Sequence, residues 1–280
     1  MSVPTTVGVY GGGRMGAGIA HAFLLAGARV IVVEANSGAA DAAKERVAAS
    51  LEKAQERGVL SAPAADVRAR LSTTVDASDL EAAELVVEAV PEDVALKQRV
   101  LRSVAEVAPA AWLATNTSSL SVDAIGAALG APNRLIGLHF FNPVPASDLV
   151  EIVVGAKTDC NLVAAAETWV SALGKTAITV SDTPGFASSR LGVAIALEAI
   201  RMLEEGVASA GDIDTAMTLG YRHPVGPLRT TDIVGLDVRL AIAEHLAAEV
   251  GERFTPPQIL RDKVAAGELG RKSGRGFFSW

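Results

Sequence analysis

The sequence lacks several features that mark particular protein classes. It has a single cysteine, Cys160, so no disulfide can form within the chain, and we expect this thiol to be inert. Acidic residues (32) outnumber basic ones (25), and the resulting net charge of −7 disfavours general binding of nucleic acid or anionic lipid. One cysteine in a chain of this size fits a reducing cytoplasm.

Long uninterrupted apolar segments are also missing. The mean hydropathy is positive, at +0.32. Stretches such as residues 191–200 are nevertheless broken by glycine or charge, and they fall short of the roughly 20 apolar residues that a membrane-spanning helix needs. The N-terminus shows no basic segment followed by an apolar one and a cleavage site. We therefore expect a cytoplasmic protein with no membrane partner.

The first two thirds of the chain alternate short apolar runs with helical patterns. The apolar runs, rich in Val, Ile and Leu, predict strands at residues 7–10, 30–34, 85–90, 112–116, 135–140, 149–154 and 176–180. Helices are predicted at residues 15–26, 38–57, 94–108, 122–129 and 162–173. This alternation predicts an α/β fold with a mostly parallel sheet covered by helices on both faces.

The pattern changes at the Pro184-Gly185 pair, which is a strong break in regular structure. Beyond it the periodicity is helical, over residues 186–205, 210–219, 231–250 and 257–266. We therefore predict an α/β domain over residues 1–183 and a helical domain over residues 184–280.

A glycine-rich turn, Gly11-x-Gly13-x-x-Gly16, joins the first predicted strand to the first predicted helix. In this context the spacing is typical of dinucleotide-binding turns, where backbone N–H groups at the helix N-terminus receive a pyrophosphate. We expect the glycines, with Arg14 and Met15 between them, to contact the cofactor. Taken alone, the spacing is also compatible with an ordinary tight turn.

Glu34 ends the second predicted strand, 21 residues after Gly13. A carboxylate there can accept hydrogen bonds from ribose hydroxyls and would repel a 2′-phosphate. The following residues, Ala35 and Asn36, offer no positive charge to such a phosphate. The sequence therefore favours NAD over NADP, with a solvated surface glutamate as the alternative interpretation.

Among the four histidines, His139 is the candidate for catalysis because it ends a predicted strand, where open α/β sheets bind ligands. Glu151 follows twelve residues later, at the start of another strand. A return turn could bring its carboxylate to the imidazole, which would fix the tautomer and favour the imidazolium. Spacing alone leaves this contact open. We interpret His21 and His245, within helices, and His223, in a loop, as packing or surface residues.

A polar run that includes Asn116 and Ser118 follows the strand predicted at residues 112–116. It can serve a binding site, and Ser119 or Ser121 can also cap the next helix. No Gly-x-Ser-x-Gly elbow surrounds Ser118, and no cluster in the sequence has metal-ligand spacing. The sequence therefore predicts neither a serine nucleophile nor a metal site.

Seven segments, taken together and in order, resemble one known family. They are residues 11–20, 86–92, 116–120, 139–145, 149–153, 182–186 and 270–277. From about Val7 to the C-terminus the chain resembles the L-3-hydroxyacyl-CoA dehydrogenases, and most of all the bacterial 3-hydroxybutyryl-CoA dehydrogenases. The resemblance implies a Rossmann-type domain that binds NAD, followed by an all-helical domain for substrate binding and dimerisation.

The resemblance also implies roles for matching residues. His139 matches the base that takes the proton of the substrate hydroxyl, Glu151 matches its carboxylate partner, and Ser118 matches a serine that hydrogen-bonds the substrate. Cofactor contacts are implied for Glu92, Lys97, Asn116 and Lys272. Ser50 and Arg57 fall where the family places a serine and a lysine near CoA, and arginine keeps the charge with a different geometry.

Ser189 departs from the family pattern, which has an asparagine there that helps to hold substrate and histidine. A hydroxyl is shorter than an amide and lacks its second donor. We therefore expect this difference to affect turnover and substrate choice more than the type of reaction. We predict a homodimeric enzyme that interconverts L-3-hydroxyacyl-CoA and 3-ketoacyl-CoA with NAD. The alternatives are a related dehydrogenase of a sugar acid, carnitine or acyl-carrier-protein substrate, and a non-catalytic NAD-binding structural protein.

Overall fold

A computed structural model describes residues 2–280 of the chain. The chain divides into two compact units, the first ending at Asp182 and the second running from Thr183 to Trp280. Each unit has a cluster of buried apolar side chains. Across the described range, no helix has both the length and the apolar content needed to cross a bilayer.

A single eight-stranded sheet organises the first unit. Its strands are β1 (Thr6–Tyr10), β2 (Arg29–Val33), β3 (Leu71–Thr74), β4 (Leu85–Glu88), β5 (Trp112–Thr115), β6 (Leu135–Phe140), β7 (Leu149–Val154) and β8 (Thr176–Ser181). They lie in the order β3-β2-β1-β4-β5-β6-β7-β8, and every neighbouring pair is parallel except the antiparallel β6–β7 pair. The strand order reverses between β1 and β4, which is where open α/β sheets bind ligands. The mostly parallel Rossmann-type sheet is confirmed.

The helices of the first unit are α1 (Arg14–Leu25), α2 (Ser37–Glu56), α3 (Ala64–Arg68), α4 (Val94–Val107), α5 (Val122–Gly126) and α6 (Cys160–Ala172). Side chains cap four of them: Asn36, Asp93, Ser121 and Asp159 each accept a hydrogen bond from a backbone N–H of the first turn. Within residues 2–280, no side chain caps α1, which starts after Gly13 and has no acidic residue in its first turn. Its first N–H groups are therefore suited to an anionic ligand.

The second unit is helical. Its main helices are α7 (Ser188–Glu204), α8 (Ala210–Thr215), α9 (Pro227–Val234), α10 (Leu236–Val250) and α11 (Gln258–Ala265). Their apolar faces form the core of this unit, with Leu197 on α7, Leu228 on α9 and Leu246 on α10 all fully buried. The helical C-terminal region predicted from the sequence is confirmed.

The structure corrects several predicted elements. The single helix predicted over residues 231–250 is two helices, because Gly235, with φ of +106°, ends α9 and α10 begins at the next residue. The helix predicted over residues 122–129 ends at Gly126. Strand β3 and helix α3 were not predicted, since β3 has one large apolar residue among four and α3 has only five residues.

Candidate active site

His139 and Glu151 meet across the antiparallel pair of strands β6 and β7. The strand register places the two residues opposite each other, and His139 Nδ1 lies 2.7 Å from Glu151 Oε2. Both side chains are buried, at 8% and 0% exposure. The structure therefore brings together the imidazole and the carboxylate that the sequence singles out, in a place largely shielded from water.

The loop between these two strands is held against α1 and against Lys175, the residue before β8. A Cβ atom on Gly18 of α1 would lie 2.8 Å from Val144 Cβ, so the loop packs directly on the helix backbone. Lys175 Nζ donates to the carbonyl oxygens of Val144 (2.8 Å) and Ser147 (2.5 Å). Burial lowers the pKa of Lys175, while the carboxylate of Asp148 acts in the opposite direction. These contacts fix the segment that follows His139.

Ser118 lies in the loop after β5, which Glu92 organises. Glu92 Oε1 accepts hydrogen bonds from Thr117 Oγ1 (2.6 Å), Ser118 N (2.9 Å) and Ser119 N (3.1 Å). Burial acts to raise the pKa of Glu92, but the Thr117 hydroxyl, the Lys97 ammonium and the serine donors outweigh it and lower the pKa. Glu92 is therefore an ionised anchor for the Ser118 loop.

Lys97 is almost fully buried, and its ammonium group bridges two carboxylates. Nζ lies 2.8 Å from Glu88 Oε1 and 3.3 Å from Glu92 Oε2. Glu88, which the sequence analysis missed, ends β4 with no exposed surface and also accepts from Thr115 Oγ1 (2.7 Å) and Val90 N (2.7 Å). The only sequence signal for Glu88 is a carboxylate that follows a run of apolar residues. This network links the ends of β4 and β5.

Asn116 also ties two strand ends together. Its Oδ1 accepts a hydrogen bond from Phe140 N at 2.9 Å, so the loop after β5 is joined to the end of β6. The ring of Phe141 packs beside that of His139, with centroids 4.4 Å apart. The polar residues after β5 and the imidazole near the end of β6 therefore belong to one rigid cluster.

The glycine-rich turn between β1 and α1 fits a dinucleotide. A Cβ on Gly16 would lie 1.7 Å from Gly11 O, and a Cβ on Gly11, whose φ is +96°, would lie 2.9 Å from Ala89 O. A Cβ on Gly13 would meet no atom of residues 2–280 within 4 Å. Packing thus requires the first and third glycines, while the second leaves the backbone open to close approach by a phosphate. The exposed Arg14 and the half-buried Met15 form the first turn of α1.

Glu34 follows β2 and lies beside this turn. Its Oε1 accepts a hydrogen bond from Gly12 N at 2.6 Å, and its Oε2 accepts one from Ala35 N at 3.2 Å. Each carboxylate oxygen has two acceptor sites, so both retain capacity for ribose hydroxyls. The glycine-rich turn and Glu34 therefore fit NAD.

A pocket of about 780 Å³ lies beside α1, α2 and the loop after β6. Its lining includes the predicted CoA residues Ser50 and Arg57. The cationic side chains of the lining are those of Arg14, Arg46, Lys53, Arg57 and Lys175, with Asp148 as the carboxylate. His21, interpreted above as a packing or surface residue, also lines the pocket, and its Nδ1 lies 3.0 Å from Ser50 Oγ. The pocket is suited to a multiply phosphorylated ligand.

Ser189 and Lys272 belong to the second unit. Ser189 lies in the first turn of α7 and is half-buried. Lys272 Nζ lies 2.6 Å from the carboxylate of Asp237, and this hydrogen bond lowers the pKa of Asp237. The roles of Ser189 toward the substrate and of Lys272 toward the cofactor stay predictions.

Two family models together span almost the whole chain. The NAD binding domain of 3-hydroxyacyl-CoA dehydrogenase matches residues 6–183, and the C-terminal domain of the same family matches residues 185–280. The chain belongs to the 3-hydroxyacyl-CoA dehydrogenase family. It is therefore an NAD-dependent oxidoreductase, and the predictions of family, enzyme class and cofactor are confirmed.

Several members of this family are similar to the chain over its full length. The 3-hydroxybutyryl-CoA dehydrogenase of Mycobacterium tuberculosis is 43% identical over 279 residues, which cover 98% of both chains. The crystal structure of (S)-3-hydroxybutyryl-CoA dehydrogenase PaaH1 from Ralstonia eutropha matches with a TM-score of 0.95 and 38% identity, covering 99% of each chain. A 3-hydroxyadipyl-CoA dehydrogenase of Escherichia coli is 38% identical over 98% of this chain and 59% of its own length.

Proposed function

We propose that this dehydrogenase interconverts a short-chain L-3-hydroxyacyl-CoA, such as 3-hydroxybutyryl-CoA, and the corresponding 3-ketoacyl-CoA. The observation that carries the proposal is the 2.7 Å contact between His139 Nδ1 and Glu151 Oε2 in a buried site. The names of the relatives from Mycobacterium tuberculosis and Ralstonia eutropha support the choice of acyl group.

His139 is the general base when the hydroxyl is oxidised and the general acid when the ketone is reduced. A carboxylate on Nδ1 holds the imidazole proton there, which assigns proton transfer to Nε2. Once Nε2 has taken the proton, the imidazolium lies beside the buried Glu151 carboxylate. Attraction between opposite charges is stronger there than in water, so Glu151 stabilises the charged form of His139.

Ser118 is the second group that contacts the reacting oxygen. Its hydroxyl donates a hydrogen bond to that oxygen and stabilises the negative charge that develops on it. Glu92 positions this loop, because it accepts hydrogen bonds from the backbone N–H groups of both Ser118 and Ser119. Glu92 therefore acts through Ser118 on the reacting end of the substrate.

NAD, when bound, supplies the hydride acceptor. The residues that would hold it lie at the carboxyl ends of β1, β2, β4 and β5: Gly11, Gly13, Arg14, Met15, Gly16, Glu34, Glu92 and Asn116. The uncapped N-terminus of α1 would receive the pyrophosphate, and Glu34 would accept hydrogen bonds from ribose hydroxyls. Lys97 supports this site through its ion pair with Glu92.

CoA binds in the cationic pocket beside α2. The net charge of the chain is −7, so the anionic phosphates of CoA must be attracted by a local excess of positive charge. Lys53, on the face of α2 that also carries Ser50, and Arg57, which follows the helix, provide it. This pocket favours CoA thioesters over sugar acids and carnitine.

The same proposal includes a homodimer in the cytoplasm. Apolar side chains on α7, α9 and α10 are exposed and would be covered in a dimer: Leu191, Ile195, Ile233, Val234 and Val238. The exposed free thiol of Cys160 suits a reducing compartment. Light scattering of the purified protein tests the dimer, and cell fractionation tests the location.

The decisive assay follows NADH oxidation with acetoacetyl-CoA and with longer 3-ketoacyl-CoAs, and NAD reduction with L-gulonate and carnitine. The proposed function predicts rapid turnover of acetoacetyl-CoA and no turnover of L-gulonate or carnitine. NADH binding without turnover of any acyl-CoA would contradict the proposal and favour a non-catalytic NAD-binding protein.

A further inference from the structure

His21 is a buried histidine that takes no part in the reaction proposed above. It lies in α1, is 2% exposed and lines the cationic pocket. Its Nδ1 lies 3.0 Å from the hydroxyl oxygen of Ser50 on α2. The imidazole therefore contacts a residue that the proposed function assigns to CoA.

Two helix faces form this pocket. Arg14, Gly18 and His21 recur along α1 at the spacing of one helix face. Arg46, Ser50 and Lys53 share one face of α2 in the same way, and Arg57 follows at its C-terminal end. His21 and Ser50 meet where the two faces touch, so their hydrogen bond joins the walls of the pocket.

The surroundings of His21 keep its ring neutral at neutral pH. Burial, and then the charge of Lys175, lower the pKa of His21 to about 4. The other charged groups facing the pocket are Arg14, Arg46, Lys53, Arg57 and Asp148. A neutral imidazole has one N–H donor and one acceptor nitrogen, so only one of its nitrogens can donate.

The direction of the hydrogen bond between His21 and Ser50 decides what the serine can offer to a ligand. If His21 Nδ1 carries the proton, it donates to Ser50 Oγ and leaves the hydroxyl proton for another acceptor. In the opposite case the hydroxyl proton is used within the protein and Ser50 presents lone pairs. A phosphate is rich in acceptors and carries negative charge, so it requires the first arrangement.

We propose that His21 is a positioning residue for CoA: its Nδ1–H donates to Ser50 Oγ, so that Ser50 donates its hydroxyl proton to a phosphate of the bound acyl-CoA. This inference rests on the proposed function, which supplies the ligand. It separates the roles of two histidines, with His21 acting on the nucleotide end of the substrate and His139 on the reacting end.

The test compares two substrates with the same acyl group. Acetoacetyl-CoA carries the phosphates, and the N-acetylcysteamine thioester of acetoacetate does not. His21→Leu removes the donor that directs the Ser50 hydroxyl proton toward the phosphate, and it should raise KM for acetoacetyl-CoA by up to about tenfold. The same variant should leave kcat, and KM for the truncated thioester, unchanged.

Further variants separate positioning from packing. His21→Asn keeps a donor near the position of Nδ1. Its KM for acetoacetyl-CoA should therefore lie close to the wild-type value. Ser50→Ala should raise that KM as much as His21→Leu, and the double variant should add no more, since both act through one contact. His245→Leu, at an exposed position on α10, is the matched control. Should His21→Leu fail to fold, His21→Phe gives the same comparison with a ring that has no polar atoms.

The outcomes separate this inference from the proposed function. An equal rise in KM for both thioesters, or additive effects in the double variant, would overturn the role of His21. An active wild-type enzyme with an unchanged KM in His21→Leu would overturn it as well and leave the function intact. A wild-type enzyme inactive on acetoacetyl-CoA would instead overturn the proposed function, and this inference with it.

Discussion

Glu151 lies opposite His139 because β7 runs antiparallel to β6 in a sheet whose other neighbouring strands are parallel. Side chains at directly opposed positions of such a pair project to the same face of the sheet, which makes their contact a property of the strand register. The loop that joins the strands is pinned by Lys175. The distance between imidazole and carboxylate is therefore set by rigid elements.

Replacing the carboxylate of Glu151 tests its charge separately from its shape. Glu151→Gln keeps the side-chain size but removes the negative charge that stabilises the imidazolium. We expect kcat for acetoacetyl-CoA reduction to fall by at least about a hundredfold, with NADH binding unchanged in a fluorescence titration. A rate near that of the wild type would show that the charge of Glu151 is dispensable.

The two glycines of the cofactor turn should respond differently to alanine. Gly13→Ala adds a Cβ that meets no atom of the described chain within 4 Å, so the protein should keep its Tm and lose affinity for NADH. Gly16→Ala places a Cβ 1.7 Å from Gly11 O, so it should lower Tm. Calorimetry and NADH titration of both variants check the contrast, and equal Tm values would contradict it.

The buried His21 should make the fold sensitive to mild acid. Its pKa of about 4 lies below the ordinary value of 6.5, so stability is unaffected above pH 6.5. Between pH 6.5 and about 4 the unfolded chain takes up a proton that the folded protein does not, and stability falls by up to about 3 kcal/mol. His21→Gln should lose less stability than the wild type in urea unfolding at pH about 5 compared with about 7. Parallel losses in the two proteins would argue against this source of acid sensitivity.

Ser189 tests how much the departure from the family pattern matters. Ser189→Asn restores the amide and should alter kcat or the preference for acyl chain length, while leaving NADH affinity as it is. Steady-state kinetics over a series of 3-ketoacyl-CoAs give the comparison. Identical kinetics across the series would show that this position has no functional effect.

Local patterns in the sequence were sufficient for seven of the eight strands and for the glycine turn. Short continuous apolar runs mark the buried strands, and the glycine motif lies between a predicted strand and a predicted helix. His139 and Glu151 could be singled out because each borders a predicted strand. Their contact could not be derived from spacing, since it depends on the direction in which β7 pairs.

Long-range partners were the features that sequence analysis missed. Glu88 looks like any glutamate after an apolar run, and only its pairing with Lys97 explains how it is buried. His21 looks like a packing residue because Ser50 lies 29 residues away on another helix. Gly235 is tolerated inside a helical pattern at modest cost, so its positive φ had no local signal.

The assignment of proton transfer to His139 is tested by the kcat of His139→Ala with acetoacetyl-CoA and NADH, measured beside the Kd for NADH. We expect kcat to fall by about a thousandfold or more, because His139 is the residue assigned to proton transfer, and the Kd to stay at the wild-type value. A variant that binds NADH normally and still reduces acetoacetyl-CoA at a rate near the wild type would contradict it.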